Sequence, residues 1–336
     1  MDNMSDSPLR THLPNTQESI ETLRNQIGRM VVGQTNLVDG LLIALFAGGH
    51  ALVEGVPGLA KTTAVRTLAQ ALGLGFGRIQ FTPDLLPADL IGTPIFVPDT
   101  RTFVVRKGPV FTPVLLADEI NRAPAKVQSA LLEAMEERQV TIGDQTFALP
   151  EPFFVMATQN PVELEGTYPL PEAQIDRFLV KLVVPYPEEA DEREIVVRDA
   201  QPALETITAL KPETVASIRQ AASEVHAASS LVDYAVRLAR ATRDPAGAGA
   251  RIQASADPAP ESWVALGASP RGSMYLIRAA RVRALLDGRD YATPHDIKCV
   301  APDVLRHRIV LTYEAEADGI RPDAVIDAIL AAVETP

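Results

Sequence analysis

The sequence predicts a three-layer αβα domain built on a parallel sheet, followed by an all-helical domain. Three observations carry that prediction. An apolar run, Ala51-Leu52-Val53, enters a glycine-containing turn and leaves it as a helical pattern, with Val65, Leu68, Ala69 and Leu72 at i, i+3, i+4 and i+7. Further apolar runs (Val114 to Ala117, Phe153 to Thr158, Leu179 to Val184) alternate with helical patterns, as in a parallel sheet covered on both faces. After Pro185-Tyr186-Pro187 the chain turns charged and helical, and no strand run of weight follows. The expected division is a flexible leader over 1–16, an αβα core over 17–186 and a helical domain over 187–336, with a Pro/Gly/Ala-rich flexible loop near 244–261.

Composition bounds what such a chain does. A length of 336 residues with 46% hydrophobic content suffices for two buried cores. Net charge −12 and pI about 5.0 are poor footing for non-specific nucleic-acid binding, which rests on clustered Lys and Arg. Apolar runs such as Leu41–Ala47 fall short of the roughly 18–20 residues of a membrane helix. The acidic, polar start, Met1-Asp2-Asn3-Met4-Ser5-Asp6, is unlike a signal peptide, so a cytoplasmic location without membrane insertion is expected. Cys299 is the single cysteine, which excludes an intrachain disulfide; it is expected to be a small core residue of a helix. The five histidines show no metal-ligand spacing.

The turn after Val53 reads Gly55-Val56-Pro57-Gly58-Leu59-Ala60-Lys61-Thr62-Thr63. Strand, glycine-rich turn, Lys-Thr and helix form the layout of a phosphate-binding P-loop. Gly55 and Gly58 let successive N–H groups point at anionic oxygens, and the helix N-terminus adds its positive dipole end. Lys61 is placed to reach the β- and γ-phosphates of ATP, and the Thr62 hydroxyl to ligate Mg²⁺. The pattern departs from the usual one at Ala60, where glycine is expected; alanine disfavours positive φ but is compatible with a helical start.

The remaining elements follow in order. Ser19 to Ala47 is helical with a break at Val31-Val32-Gly33-Gln34; residues so placed upstream of a P-loop either touch the nucleotide base or pack a helix–loop–helix, and Val32, Gly33 and Gln34 are candidates for the former. Arg78 to Phe81 reads as a second strand, and Leu85 to Gly92 as a short helix. Ile95-Phe96-Val97 and Thr102 to Val105 flank Pro98-Asp99-Thr100-Arg101 as a hairpin. Val114 to Ala117 is a buried strand that ends in Asp118-Glu119, at the edge where ligands bind in open α/β sheets. Beside a P-loop these two acids suit a Mg²⁺-holding carboxylate, Asp118, and a general base toward water, Glu119. Pro124 opens a helix with an apolar stripe at Val127, Ala130, Leu131, Ala134 and Met135. Gln139 to Leu149, centred on Gly143-Asp144, is a second hairpin. Phe153 to Thr158 ends at Gln159-Asn160, where Asn160 either orients water against a γ-phosphate or simply turns the chain before Pro161. A short helix ends at Asp176-Arg177. Ser269 and Pro270 cap and start a helix, which puts Arg271 in its first turn; a cation there opposes the helix dipole and suits an anion, or is an ordinary surface arginine. Thr293-Pro294 starts another capped helix.

These motifs together resemble the MoxR branch of the AAA+ ATPases. The resemblance rests on Glu54 to Thr62, Leu116 to Pro124, Ala157 to Pro161, Leu170 to Phe178 and Gly267 to Arg271, and it spans roughly residues 19–335. Ala60 is usual in that branch. The resemblance implies that Asn160 is the sensor-1 residue and Arg271 the sensor-2 arginine of a helical lid. It also implies that Arg177 is an arginine finger toward a neighbouring subunit, with Arg122 a weaker rival. Segments 91–107 and 139–149 match hairpins that face a ring pore. The resemblance further implies Mg²⁺-dependent ATP hydrolysis by a homo-oligomeric ring, a hexamer, that remodels or activates partner proteins, often ones with a von Willebrand factor A domain. A metal-chelatase motor subunit and a nucleic-acid-associated ATPase are the alternatives.

Overall fold

The computed structural model describes residues 9–56, 58–161, 166–199, 207–250 and 263–336. Its residues group into two compact units, one of residues 21–178 and 182–216, the other of 179–181 and 217–336 with the N-terminal residues up to 20.

The elements up to the end of α7, of which α1 up to Ile20 and residues 180–181 group with the other unit, begin with α1 (Leu9–Met30), α2 (Thr35–Phe46), β1 (Ala51–Glu54), α3 (Lys61–Ala71), β2 (Phe76–Gln80), α4 (Pro87–Ile91), β3 (Gly92–Val97), β4 (Thr102–Lys107) and β5 (Val114–Asp118). They continue with α5 (Ala125–Glu137), β6 (Gln139–Ile142), β7 (Gln145–Ala148), β8 (Phe154–Gln159), α6 (Glu172–Ile175), β9 (Val180–Val183) and α7 (Glu189–Asp199). The five-stranded sheet has the order β2-β5-β8-β1-β9, with β2–β5, β5–β8 and β8–β1 all parallel. Strands β1, β5 and β8 sit inside it, and Leu52, Leu115, Val155 and Ala157 are fully buried. That burial on both faces explains why these runs are continuously apolar rather than alternating. The amphipathic stripe of α5 covers one face through Val127, Leu131, Leu132 and Met135. His50 belongs to this core: its Nδ1 accepts from the Val155 N–H at 3.0 Å and its Nε2 faces the Met135 carbonyl at 3.2 Å, which fixes a neutral Nε2–H tautomer.

Both hairpins form as expected. β3 pairs with β4 through the register Phe96↔Phe103, and β6 with β7 through Thr141↔Thr146. The first carries an exposed aromatic pair, Phe96 and Phe103, with ring centroids 5.3 Å apart. The ammonium of Lys107, at the end of β4, lies over Phe111 at 4.7 Å and over Phe147 of β7 at 5.2 Å. One cation thus bridges the two hairpins.

The second unit is mostly helical, and its elements are α8 (Pro212–Glu224, from residue 217 on), α9 (Ser229–Ala241), β10 (Val264–Leu266), α10 (Pro270–Leu286), α11 (Pro294–Leu305), β11 (Val310–Leu311), α12 (Tyr313–Ala317) and α13 (Pro322–Ala332). The apolar stripe of α10 buries Leu276, Ala280 and Leu285, and α11 buries Ile297, Val300, Ala301 and Val304. Thr293 caps α11 in a reciprocal capping box with Asp296, and Ser269 caps α10 by accepting from the Arg271 N–H.

Some expectations meet a different structure, and one lies mostly outside the described residues. The leader over 1–16 is helical from Leu9, because α1 extends one continuous helix toward the N-terminus; residues 1–8 lie outside the described set. By its contacts α7 groups with the sheet rather than with the helices that follow. The cause is packing: the α1–α2 turn meets α7, where a Cβ on Gly33 would lie 2.3 Å from the Asp191 carboxylate. The helical unit also contains a short antiparallel ladder, β10–β11, too brief to register as an apolar run. Cys299 is exposed on α11, since it falls off the stripe of Ile297, Val300 and Val304. The loop near 244–261 lies mostly outside the described residues, although Ala248, Gly249 and Ala250 close turns onto Asp244, Ala246 and Pro245.

Candidate functional site

Sheet order decides where the chemistry gathers. β8 lies between β1 and β5, so the loop after β1 and the acids ending β5 are held apart by one strand, and Asn160 follows the end of that strand. A cavity of about 410 Å³ opens there, lined by Gly58, Ala60, Lys61, Thr62, Thr63, Arg78, Gln80, Asp118, Glu119, Thr158 and Asn160.

The P-loop is formed by local backbone chemistry. Gly58 adopts φ +88°, and a Cβ there would meet nothing within 4 Å, so its outer side faces open space. Ala60, expected to be compatible with a helical start, is instead left-handed at φ 55°, and it stands as the N-cap of α3. Such a conformation costs an alanine about 1–2 kcal/mol; it is tolerated where the loop must aim its N–H groups inward. Pro57 lies outside the described residues. Lys61 Nζ donates to the Gly55 carbonyl. Burial pushes the Lys61 ammonium below its ordinary range, against the opposing pull of Asp118, Glu119 and Glu54.

The acids are held by a dense network. Thr158 Oγ1 donates to Asp118 Oδ1 at 2.6 Å and accepts from the Glu119 N–H at 2.9 Å. Arg78 meets Asp118 Oδ2 through one terminal nitrogen at 2.7 Å and through Nε at 3.2 Å. Gln80 Nε2 donates to Glu119 Oε2 at 2.7 Å, and Arg122 Nε lies 3.0 Å from the same oxygen. Glu119 is itself left-handed, at φ 57°. A non-glycine residue in that region costs energy and recurs at functional sites.

The donor set fits the group that a P-loop implies. Lys61 supplies a cation for phosphate, and Thr62 and Asp118 offer hydroxyl and carboxylate oxygens, the hard ligands Mg²⁺ takes. No imidazole or thiolate lines the cavity among the described residues.

Not every predicted residue comes to this cavity. Gly55, Val56 and Leu59 complete the loop without lining it. Val32, Gly33 and Gln34 form the α1–α2 turn, where Gln34 Nε2 donates to the Pro185 carbonyl at 3.3 Å. Arg177 lines a separate groove of about 490 Å³ with Ser129, Leu132, Glu133, Glu137, Gln139 and Gln174. There it pairs with Glu136 at 3.0 Å and donates to the Leu132 carbonyl at 2.9 Å. Arg122 is engaged with Glu119 of its own chain. Arg271 belongs to the second unit, in the first turn of α10.

Residues 50–180 match the family described as the ATPase family associated with various cellular activities (AAA), and residues 259–329 match the AAA lid domain. Chaperone MoxR1 of Mycobacterium tuberculosis is 51% identical over 93% of this chain and 81% of its own length. The chain belongs to the MoxR family of AAA+ ATPases. Protein MoxR of Methylorubrum extorquens is 36% identical, with 96% of this chain and 97% of that protein aligned. The crystal structure of a Cytophaga hutchinsonii protein assigned as an ATPase superposes with a TM-score of 0.88 at 47% identity, over 97% of this chain and 98% of that one.

Within this MoxR-family site, sequence reasoning missed Arg78, Gln80 and Thr158 as site residues. A signal for the first two existed: polar residues at i and i+2 of one strand share a face. The register Gln80↔Asp118 then sets that face beside the acids.

Proposed function

We propose that this MoxR-family chain hydrolyses ATP with Mg²⁺ at the head of its sheet. A homo-oligomeric ring of it, a hexamer, uses that hydrolysis to remodel or activate cytoplasmic protein partners, among them proteins with a von Willebrand factor A domain. One observation carries the reading: a single cavity gathers Lys61, Thr62, Asp118, Glu119 and Asn160. That set holds a phosphate cation, two metal ligands, a carboxylate base and a neutral amide.

The roles follow from the groups. Lys61 exchanges the Gly55 carbonyl for phosphate oxygens, together with the N–H groups at the start of α3. Thr62 and Asp118 hold Mg²⁺, which when bound neutralises phosphate charge. Glu119 takes the proton of the attacking water, and Asn160 orients that water. Arg271, in the lid, serves as a second anion contact. Arg177 lines a groove of its own, which supports service to the γ-phosphate of a neighbouring copy rather than to its own. MoxR1 is named a chaperone. The exposed Phe96–Phe103 pair offers this chain an apolar contact for a protein client.

The test is ATPase rate per subunit against protein concentration, for wild type and Arg177→Ala, with mass measured by light scattering in ATP. A rate that rises with concentration and falls about 10³-fold in the variant, with ATP still bound, supports shared sites in a ring. A concentration-independent rate insensitive to Arg177 overturns the ring mechanism. Stimulation by DNA, rather than by a protein partner, overturns the client assignment.

A further inference from the structure

Both oxygens of Asp118 are engaged by protein donors. The Thr158 hydroxyl, a neutral donor, holds Oδ1 at 2.6 Å. The Arg78 guanidinium, a cation, takes Oδ2 twice, at 2.7 and 3.2 Å. Nothing in P-loop chemistry asks for an arginine on the metal carboxylate. Two cations directed at one carboxylate repel each other, and a guanidinium on Oδ2 leaves a hard dication only the site on Oδ1 that the Thr158 hydroxyl does not fill.

The two partners of Asp118 differ in how readily they leave. Thr158 is buried at the end of the central strand β8 and also accepts the Glu119 N–H. Arg78 stands on β2, at the edge of the sheet, with its side chain 49% exposed. A half-exposed ion pair is screened, so the guanidinium swings to water at small cost. Arg78 is also joined to the second acid: its terminal nitrogen donates to Gln80 Oε1 at 3.1 Å, while Gln80 Nε2 donates to Glu119 Oε2 at 2.7 Å. Release of Arg78 therefore removes one of the hydrogen bonds that orient Gln80 on Glu119.

We propose that Arg78 is a positioning residue that competes with the metal for Asp118: it neutralises and holds the carboxylate until the dication arrives, then yields the oxygen. It acts through Asp118 and not on the reacting atoms. The inference rests on the reading of the cavity as a Mg²⁺–nucleotide site.

The experiment uses the full chain with ADP and Mn²⁺, the bound ion counted by its paramagnetic resonance signal, in wild type, Arg78→Met and Arg78→Lys. ADP affinity without metal is measured in parallel by calorimetry. The stem of methionine preserves the packing of Arg78, and circular dichroism confirms that each variant is folded. Removing the competitor is expected to tighten Mn²⁺ binding about two- to fivefold in Arg78→Met, the scale of an exposed ion pair. Arg78→Lys, which keeps the charge but loses the two-nitrogen grip, falls between, and each variant's Mn²⁺ affinity is read against its own metal-free ADP affinity so that a change in nucleotide binding is not counted as a change in metal binding. Unchanged or weaker Mn²⁺ binding in Arg78→Met, with wild type binding Mn²⁺ and ADP normally, overturns the competition and leaves the site assignment standing. Failure of wild type to bind Mn²⁺ with ADP overturns the site assignment, and this inference with it.

Discussion

Two arginine–carboxylate pairs, one in each unit, show what separates a working acid from a structural one. Asp118 pairs with Arg78 at the rim of an open cavity, with side chains 16% and 49% exposed. Asp296, in the first turn of α11, is fully buried. It accepts from both terminal nitrogens of Arg289, from the Thr293 N–H at 2.7 Å and from the Thr293 hydroxyl at 2.7 Å. Burial alone would raise the Asp296 carboxyl; the hydrogen bonds from Arg289 and Thr293 outweigh it and hold it below the ordinary carboxylate range. Its partner Arg289 is held correspondingly more firmly charged, first by that hydrogen bond to Asp296. Asp296 is thus a cap and a tie whose donors are fixed by the fold. Asp118 keeps a partner able to leave, and beside it Glu119 sits in a left-handed backbone, at a cost of the kind that recurs at functional sites.

The sharpest way to break this contrast is Glu119→Gln. If the acids at the head of the sheet serve chemistry, the variant binds ATP as tightly as wild type while turnover drops about 10²–10⁴-fold, the range of a general base. Single-turnover kinetics with parallel nucleotide binding measures both; wild-type turnover removes Glu119 from the mechanism. Next in size is Asp296→Ala, which strands Arg289. It is expected to cost the helical unit about 3 kcal/mol, as breaking a buried pair does, read by denaturant unfolding. A loss under 1 kcal/mol would put Asp296 on the same footing as Asp118. The same pair sharpens the contrast through pH. Because the folded-state value is depressed, the stabilisation is present above the unfolded value of about 3.9 and is lost as pH falls through the lower folded value. The wild-type unfolding midpoint should therefore drop through that window more steeply than that of Asp296→Asn. The smallest effect belongs to Ala60→Gly: relief of the left-handed alanine, set against the added freedom of glycine in the unfolded chain, should raise stability by no more than about 1 kcal/mol. A clear loss of stability would mean that the Ala60 methyl packs usefully in the loop.

Much of this arrangement was legible because it follows local rules. Fully apolar runs marked β1, β5 and β8, the glycines and Lys61-Thr62 marked the P-loop, and Ser269-Pro270 and Thr293-Pro294 marked their helix starts. What was not legible depends on neighbours distant in sequence. That Arg78 and Gln80 serve the acids depends on β2 pairing with β5, a fact of register and not of composition. The placement of α7 with the sheet follows from its contact with the α1–α2 turn, roughly 160 residues away, which no local pattern announces. Ala60 misled because alanine normally avoids the conformation that the loop imposes on it.

The cation that joins the hairpins has a consequence of another kind. Lys107 spans Phe111 and Phe147 with a single ammonium, so a charge links the ribbon of β3 and β4 to that of β6 and β7 beside the edge-on contact of the two rings. Acetylation of that amine would remove the charge and, with it, the cation–π link between the two ribbons.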